Sequence, residues 1–246
     1  MTAAGTPNQR ERLLVVNGLS AGYGGMPALR NVSLEVRRAE IVALIGSNGA
    51  GKTTLLRALS RVIPCTGTIS FNNHDLVAMT PDQAFGTGLV QVPEGRQLFD
   101  RMTVADNLMM GAYRRRDRAA IASDLERMYS LFPRLGERRT QLAGSMSGGE
   151  QQMCAMARGL MARPLLLMID EMSLGLAPVV VEQLMDVLEE IRKQDVTVLL
   201  VEQDIHLALS LADRGYVMDT GSIARSGAAK DLIDDPAVRE AYLGLA

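Results

Sequence analysis

The chain has 246 residues, 47% hydrophobic and 22% charged, with 26 basic against 28 acidic side chains. That size and balance specify one large globular domain or two small lobes and exclude bulk disorder. A net charge of -2, no Trp and 4% aromatics give neither a basic footprint for duplex DNA nor stacking platforms for single strands, so no nucleic-acid partner is expected.

In chain order, Met1–Arg12 is small, polar and charged. It reads as a flexible N-terminus without the apolar stretch of a signal peptide, so the protein is expected to stay in the cytoplasm. Short strands follow at Leu13–Val16, Val32–Val36, Ile41–Ile45, Thr68–Phe71 and Leu89–Val92, with a tight turn at Asn72-Asn73. Thr103 caps a helix through Leu108, with Asp106 in its first turn. Ile121, Leu125, Met128, Tyr129 and Phe132 recur at helical spacing until Pro133. The arginines at 114–116 and 118, and those at 138 and 139, read as solvated helix faces.

The last third alternates. A helix over Gly148 to about Ala162 precedes the strand Leu165–Ile169. A helix from Pro178 precedes the strand Val196–Val201, and a helix from about Asp204 precedes the strand Gly215–Met218. Such alternation argues for a mostly parallel, buried sheet. None of the apolar runs approaches the roughly 18 residues of a membrane span. Cys65 and Cys154 read as reduced structural thiols, and His74 and His206 do not complete a zinc site with them.

Three segments carry chemistry. Ile41–Ile45 runs into Gly46-Ser47-Asn48-Gly49-Ala50-Gly51-Lys52-Thr53-Thr54 and then into a helical pattern. This is a phosphate loop in its required strand–loop–helix setting. Its glycines let backbone N–H groups turn toward phosphate oxygens at a helix N-terminus, Lys52 reaches the terminal phosphates, and the Thr53 hydroxyl is placed for Mg²⁺. The apolar run Leu165–Ile169 ends in Asp170-Glu171. Asp170 is read as the metal-side acid and Glu171 as the group that aligns or deprotonates water. Ser147-Gly148-Gly149-Glu150 reads as a capping box whose two glycines are poor helix formers, which makes sense where another molecule approaches bare backbone.

Phosphate loop, signature and acid-tipped strand, in that order, resemble the ATP-binding subunits of ABC transporters over nearly the whole chain, from Leu13 to Leu245. The resemblance implies a P-loop ABC ATPase fold, α/β, with a mostly parallel core sheet flanked by helices. It implies an N-terminal antiparallel β subdomain and a helical subdomain insert: 13–94 and 161–246 form the core, and 95–160 the insert. The implied cofactors are ATP and Mg²⁺. Ser147, Gly148, Gly149 and Glu150 would then act on the ATP of a second ATPase subunit, a sister or an identical copy. Tyr23 stands where the family stacks an aromatic on adenine, a core tyrosine being the other reading.

Departures narrow the subgroup. Glu94, in Val92-Pro93-Glu94-Gly95-Arg96, takes the place of the family's metal-side glutamine, Gln91 being too early. Gln203 replaces the usual γ-phosphate histidine, and Met172 the usual proline. These runs, with Ser173–Pro178 and the ending Val238–Gly244, are similar to the LivF-type ATPases of high-affinity branched-chain amino-acid importers. Implied partners are two membrane permeases and, indirectly, an extracytoplasmic amino-acid-binding protein, with this chain peripheral on the inner membrane face. Phe99, in the insert, is expected either at the permease contact or packed within the insert. Another cargo (urea, short amides, other amino acids) and a soluble non-transport ABC ATPase are the rival readings.

Overall fold

A computed structural model describes residues 10–243, with side chains through residue 240. Residues 1–9 of the expected flexible N-terminus, and 244–246, lie outside the described residues. Arg10 donates to the Ala39 carbonyl at 2.6 Å, and the Glu11 carbonyl accepts from Arg38 N, so the chain is already docked before residue 13.

Two sheets organise the chain. The first has the order β2-β1-β4-β5, all antiparallel, from β1 (Arg12–Tyr23), β2 (Met26–Arg37), β4 (Cys65–Phe71) and β5 (His74–Asp75). The second has the order β10-β9-β3-β8-β7-β6. Its strands are β3 (Ile41–Ile45), β6 (Leu89–Val92), β7 (Leu166–Asp170), β8 (Thr197–Glu202), β9 (Arg214–Asp219) and β10 (Ser222–Ala228), parallel except for the β9–β10 hairpin.

β1 extends seven residues past the expected Val16. Its apolar alternation breaks at Asn17-Gly18, where the pairing register with β2 and β4 slips and Gly18 has φ +60°. A bulge absorbs the extra residues and the strand resumes.

β3, β7 and β8 are buried throughout, as expected of central parallel strands. Val42 and Leu44, Leu166 and Met168, and Leu199 and Val201 face one core with α1 (Lys52–Leu59) and the first sheet. Leu167 and Ile169, and Val198 and Leu200, face the other. That second core holds α3 (Val104–Gly111), α4 (Arg118–Leu131), α5 (Pro133–Glu137), α6 (Gly148–Met161) and α7 (Pro178–Arg192). Three further helices are α8 (Ile205–Leu211), α9 (Ala229–Asp234) and α10 (Pro236–Leu243). α5, α9 and α10 escaped the sequence reading, and so did the short helix α2 (Pro81–Gly86). Its signal is Thr80-Pro81 with Gln83, a capping box with proline in the first turn.

Arg114–Arg116 are not a solvated helix face. They lie in the connection between α3 and α4. Arg115 is nearly buried, holding Asp117 and Asp124, and Arg163 grips Asp124 from the far end of α6. The two arginines and burial compete at Asp124, and the net result is a carboxyl held below its ordinary range. Both cysteines are free thiols. Burial pushes the Cys154 thiol up to about 12, which makes it inert packing. Among the described residues, no helix is long and apolar enough to cross a membrane.

Candidate nucleotide site

The site lies at the carboxyl ends of four neighbouring parallel strands, the expected place for a ligand in an open α/β sheet. Ile45 pairs with Glu202, Val201 with Asp170, and Ile169 with Val92. This register sets the phosphate loop, Gln203, the acid pair and Glu94 side by side.

The loop from Gly46 to Gly51 turns between β3 and α1. A Cβ on Gly46 would sit 2.3 Å from the Met218 carbonyl oxygen, and Gly51 caps α1 at φ +105°, so neither position accepts a side chain. α1 has no side-chain cap, and its first-turn residues Lys52, Thr53 and Thr54 line the cavity, which suits this helix N-terminus to an anion. Lys52 is buried. Its Nζ donates to the carbonyls of Gly46 (2.8 Å) and Ser47 (3.2 Å) and lies 3.4 Å from Glu171 Oε1. Gln203 Nε2 donates to Glu171 Oε2 at 2.6 Å. Glu171 itself is buried and left-handed at φ +50°, a strained conformation for a non-glycine residue, and its N–H is anchored on the Val201 carbonyl.

A cavity of about 380 Å³ joins these groups. It is lined by Asn48, Gly49, Gly51–Thr54, Glu94, Glu171 and Gln203, together with Ala28 and Leu174, which carried no signal of their own in the sequence. Ala50 is buried beneath the loop. Gln91 points elsewhere, accepting from Ser60 Oγ at 2.7 Å, while Glu94 reaches the cavity.

Asp170 sits below, with Thr53 Oγ1 donating to its Oδ1 at 3.4 Å. Its Oδ2 is buried without a hydrogen-bond partner. Burial, reinforced by the charges of Glu171 and Glu94, pushes the carboxyl up to about 6 despite the Thr53 bond. An orphaned carboxylate oxygen beside a threonine hydroxyl and a second acid is a hard-oxygen donor set, and it fits Mg²⁺. Among the described residues there is no cluster of three or more His, Cys, Asp or Glu to cage a metal.

An acid raised above its ordinary 3.8 binds its proton more tightly in the folded than in the unfolded chain. Its contribution to stability therefore falls as pH rises through about 4 to about 6 and stays low above that. We expect Asp170→Asn to raise the melting temperature of the metal-free protein at pH 7.5 by about 2–6 °C while removing metal-dependent turnover. Calorimetry at pH 4.5 and 7.5 checks this. A melting temperature that falls at pH 7.5 contradicts the assigned burial cost.

Gly46, Ser47, Ala50 and Asp170 adjoin these residues in the chain without lining the cavity, and two further groups of expected residues lie outside it. Tyr23 ends β1, is 44% exposed, and accepts a hydrogen bond from Arg57 Nη1 at 3.2 Å, so it is not a core tyrosine. The signature opens α6. The Ser147 hydroxyl accepts from Glu150 N (3.4 Å), Glu150 Oε2 accepts from Ser147 N (3.0 Å), and Arg138 pairs with Glu150 at 2.8 Å. Ser147 is exposed, and no signature residue lines the cavity of its own chain.

A phosphate loop at the switch of a parallel sheet, with an acid pair on the adjacent strand, defines a nucleoside triphosphatase of the phosphate-loop class. The ABC transporter family model matches residues 29–173. The high-affinity branched-chain amino acid transport ATP-binding protein BraG of Pseudomonas aeruginosa is 45% identical over 233 residues, covering 94% of this chain and all of that protein. LivG of Escherichia coli K12, described in the same words, is 34% identical over 249 residues, covering 94% and 98%. The crystal structure of an ADP-bound ATP-binding cassette of an ABC transporter superposes with a TM-score of 0.81 at 25% identity, covering 95% of this chain and 99% of that one. The chain belongs to the ABC transporter ATP-binding family. It is an ATPase.

Proposed function

We propose that this chain hydrolyses ATP to drive a membrane importer for branched-chain amino acids. The observation that carries the reading is the nucleotide cavity, in which Lys52, Glu171 and Gln203 converge at the end of the parallel sheet. The cargo is supported by the names of the relatives that match end to end.

The bare backbone of Gly46–Gly51 and the α1 N-terminus hold the phosphates, and Lys52 turns from its loop carbonyls onto the terminal one. Thr53 and Asp170, with Glu94 near them, would hold Mg²⁺, which would supply charge neutralisation at the phosphate oxygens. Glu171 orients water for in-line attack and accepts its proton. Gln203 holds the Glu171 carboxylate and then the γ-phosphate, donating hydrogen bonds without the charge a histidine could add. Tyr23 stacks on the adenine. Ser147, Gly148, Gly149 and Glu150 serve the nucleotide bound by a second ATPase subunit, which is consistent with the exposure of Ser147 and with the absence of all four from the cavity of their own chain. The units are a core of 13–94 with 161–246 and a helical insert of 95–160.

Permeases bring this ATPase to the inner membrane face. Phe99, 45% exposed, lines a groove with Phe85, Val90, Met110 and Tyr113 and lies under Arg158 at 5.7 Å. An aromatic groove where core and insert residues meet, with Phe99 and Tyr113 exposed in it, suits a permease segment. Cargo is tested by competition. Uptake of labelled leucine that depends on this chain is expected to be blocked by excess unlabelled isoleucine or valine and not by urea. Blockade by urea alone would assign a different cargo.

A further inference from the structure

We infer that Arg96 is a positioning residue for ATP hydrolysis: it fastens the loop after Glu94 to the helix that begins at the signature, so that the groups serving two nucleotide sites move as one body. This rests on the reading that the signature serves the ATP of a second subunit.

The loop is held in an unfavourable shape. Gly95, Arg96 and Gln97 are consecutive left-handed residues, at φ +73°, +66° and +48°. Two of the three are not glycine, and such conformations persist only where the surroundings impose them. α6 imposes this one. Arg158 Nη1 donates to the Gln97 carbonyl at 2.7 Å and Nη2 to the Arg96 carbonyl at 3.0 Å. Arg96 Nη1 in turn donates to Gln151 Oε1 at 3.2 Å. Gln151 and Arg158 are two helical turns apart on one face of α6, so the helix grips both the backbone and the side chain of the loop.

The second grip lies at the signature itself. Gln151 Nε2 donates to the Ala143 carbonyl, in the short turn that leads into the signature. The Arg96 guanidinium lies against Gly148, where a Cβ would meet Nη2 at 3.0 Å. Arg96 thus touches the first glycine of the signature and, through Gln151, fixes the approach to it. Among the described residues no carboxylate lies within ion-pair distance of Arg96, whereas Arg114 holds one and Arg115 two. The side chain is committed to this contact.

Glu94, two residues upstream, lines the nucleotide cavity, and Arg96 does not. A displacement of Glu94 by bound nucleotide is carried through a loop with little freedom to α6, a stiff helix of 14 residues, and so to Ser147 and Gly148. Substituting Arg96 leaves the chain's own phosphate contacts intact and disturbs where its signature sits.

The test uses the full-length chain in the membrane complex isolated with it. For Arg96→Gln, kcat is expected to fall about ten-fold or more, because small misplacements of groups that close on a transition state are costly. The KM for ATP and the affinity for a non-hydrolysable analogue should stay near wild type. Gln151→Ala should show the same split, and the double variant should be no slower than Gln151→Ala, since both single variants remove the Arg96–Gln151 bond and Gln151→Ala also removes the bond to Ala143. Arg96→Lys, which keeps the charge and one donor, should recover part of the rate. Gln151→Ala leaves the loop backbone untouched and tests the same bond should Arg96→Gln fail to fold. Wild-type kcat in both single variants, or losses that multiply in the double variant, would overturn the assignment. Ser147→Ala separates the two levels. If it turns over at the wild-type rate, the signature reading itself fails. If it is slow while Arg96→Gln is not, only the role of Arg96 fails.

Discussion

Glu171→Gln is expected to keep ATP binding and to lower turnover by about a thousand-fold, the scale of a lost general base. Glu171 is the cavity carboxylate assigned to take a proton from water, since it lies against Lys52 and Gln203. It is held from two sides, by Lys52 at 3.4 Å and by Gln203 at 2.6 Å. Glutamine fills the same space and can still meet Lys52 through its carbonyl, so the phosphate loop keeps its shape. What is lost is the negative charge and the basic oxygen. In the nucleotide-free chain that charge also competes with ATP for Lys52, so ATP affinity in the variant should equal or exceed wild type. Equilibrium binding and single-turnover hydrolysis measured side by side check both halves. Undiminished hydrolysis would remove Glu171 from the chemistry.

The second large effect is on binding. Lys52→Ala should weaken ATP affinity about a hundred-fold, close to 2.7 kcal/mol. Lys52 is buried, and its ammonium is satisfied by two loop carbonyls and one carboxylate. Truncation removes the point charge that meets the terminal phosphate. It also leaves Glu171 buried beside Asp170 and Glu94 with no cation to offset three acids, which makes the cavity repel an anion it was built to hold. Isothermal titration with ATP measures this directly, and an unchanged affinity contradicts the assigned role. Because Lys52 and Glu171 share a contact, the double variant should lose less affinity than the sum of the two single effects predicts.

What could be read from the sequence was what is local in the chain. The phosphate loop, the acid pair at the tip of an apolar strand and the Ser147–Glu150 box each occupy fewer than ten consecutive residues. Each is dictated by a turn, a cap or a buried run, so their placement needed no tertiary information. The parallel strands were legible for the same reason, since β3, β7 and β8 are short apolar runs bounded by turns. Long-range contacts left no trace. Arg115 reads as one of several charges on a polar face until Asp124 and Arg163 are brought to it by the fold. Lys52 and Glu171, 119 positions apart in the numbering, meet only because β3 and β7 flank β8. Arg96 and Gln151 meet only because α6 packs under the loop. β1 was cut short because Asn17-Gly18 imitates a turn, and only the register slip shows that it is a bulge. Where the family pattern was broken, the positions themselves were informative: Glu94 does reach the cavity and Gln91 does not.

The measurement that bears most directly on the central claim, that hydrolysis at this site powers amino-acid import, is uptake of labelled leucine in cells lacking this chain. The cells are complemented either by the wild type or by Glu171→Gln at equal expression. Wild type is expected to restore uptake and Glu171→Gln to leave it at the level of the deletion. Restoration by Glu171→Gln, or uptake that never depended on the chain, would contradict the claim.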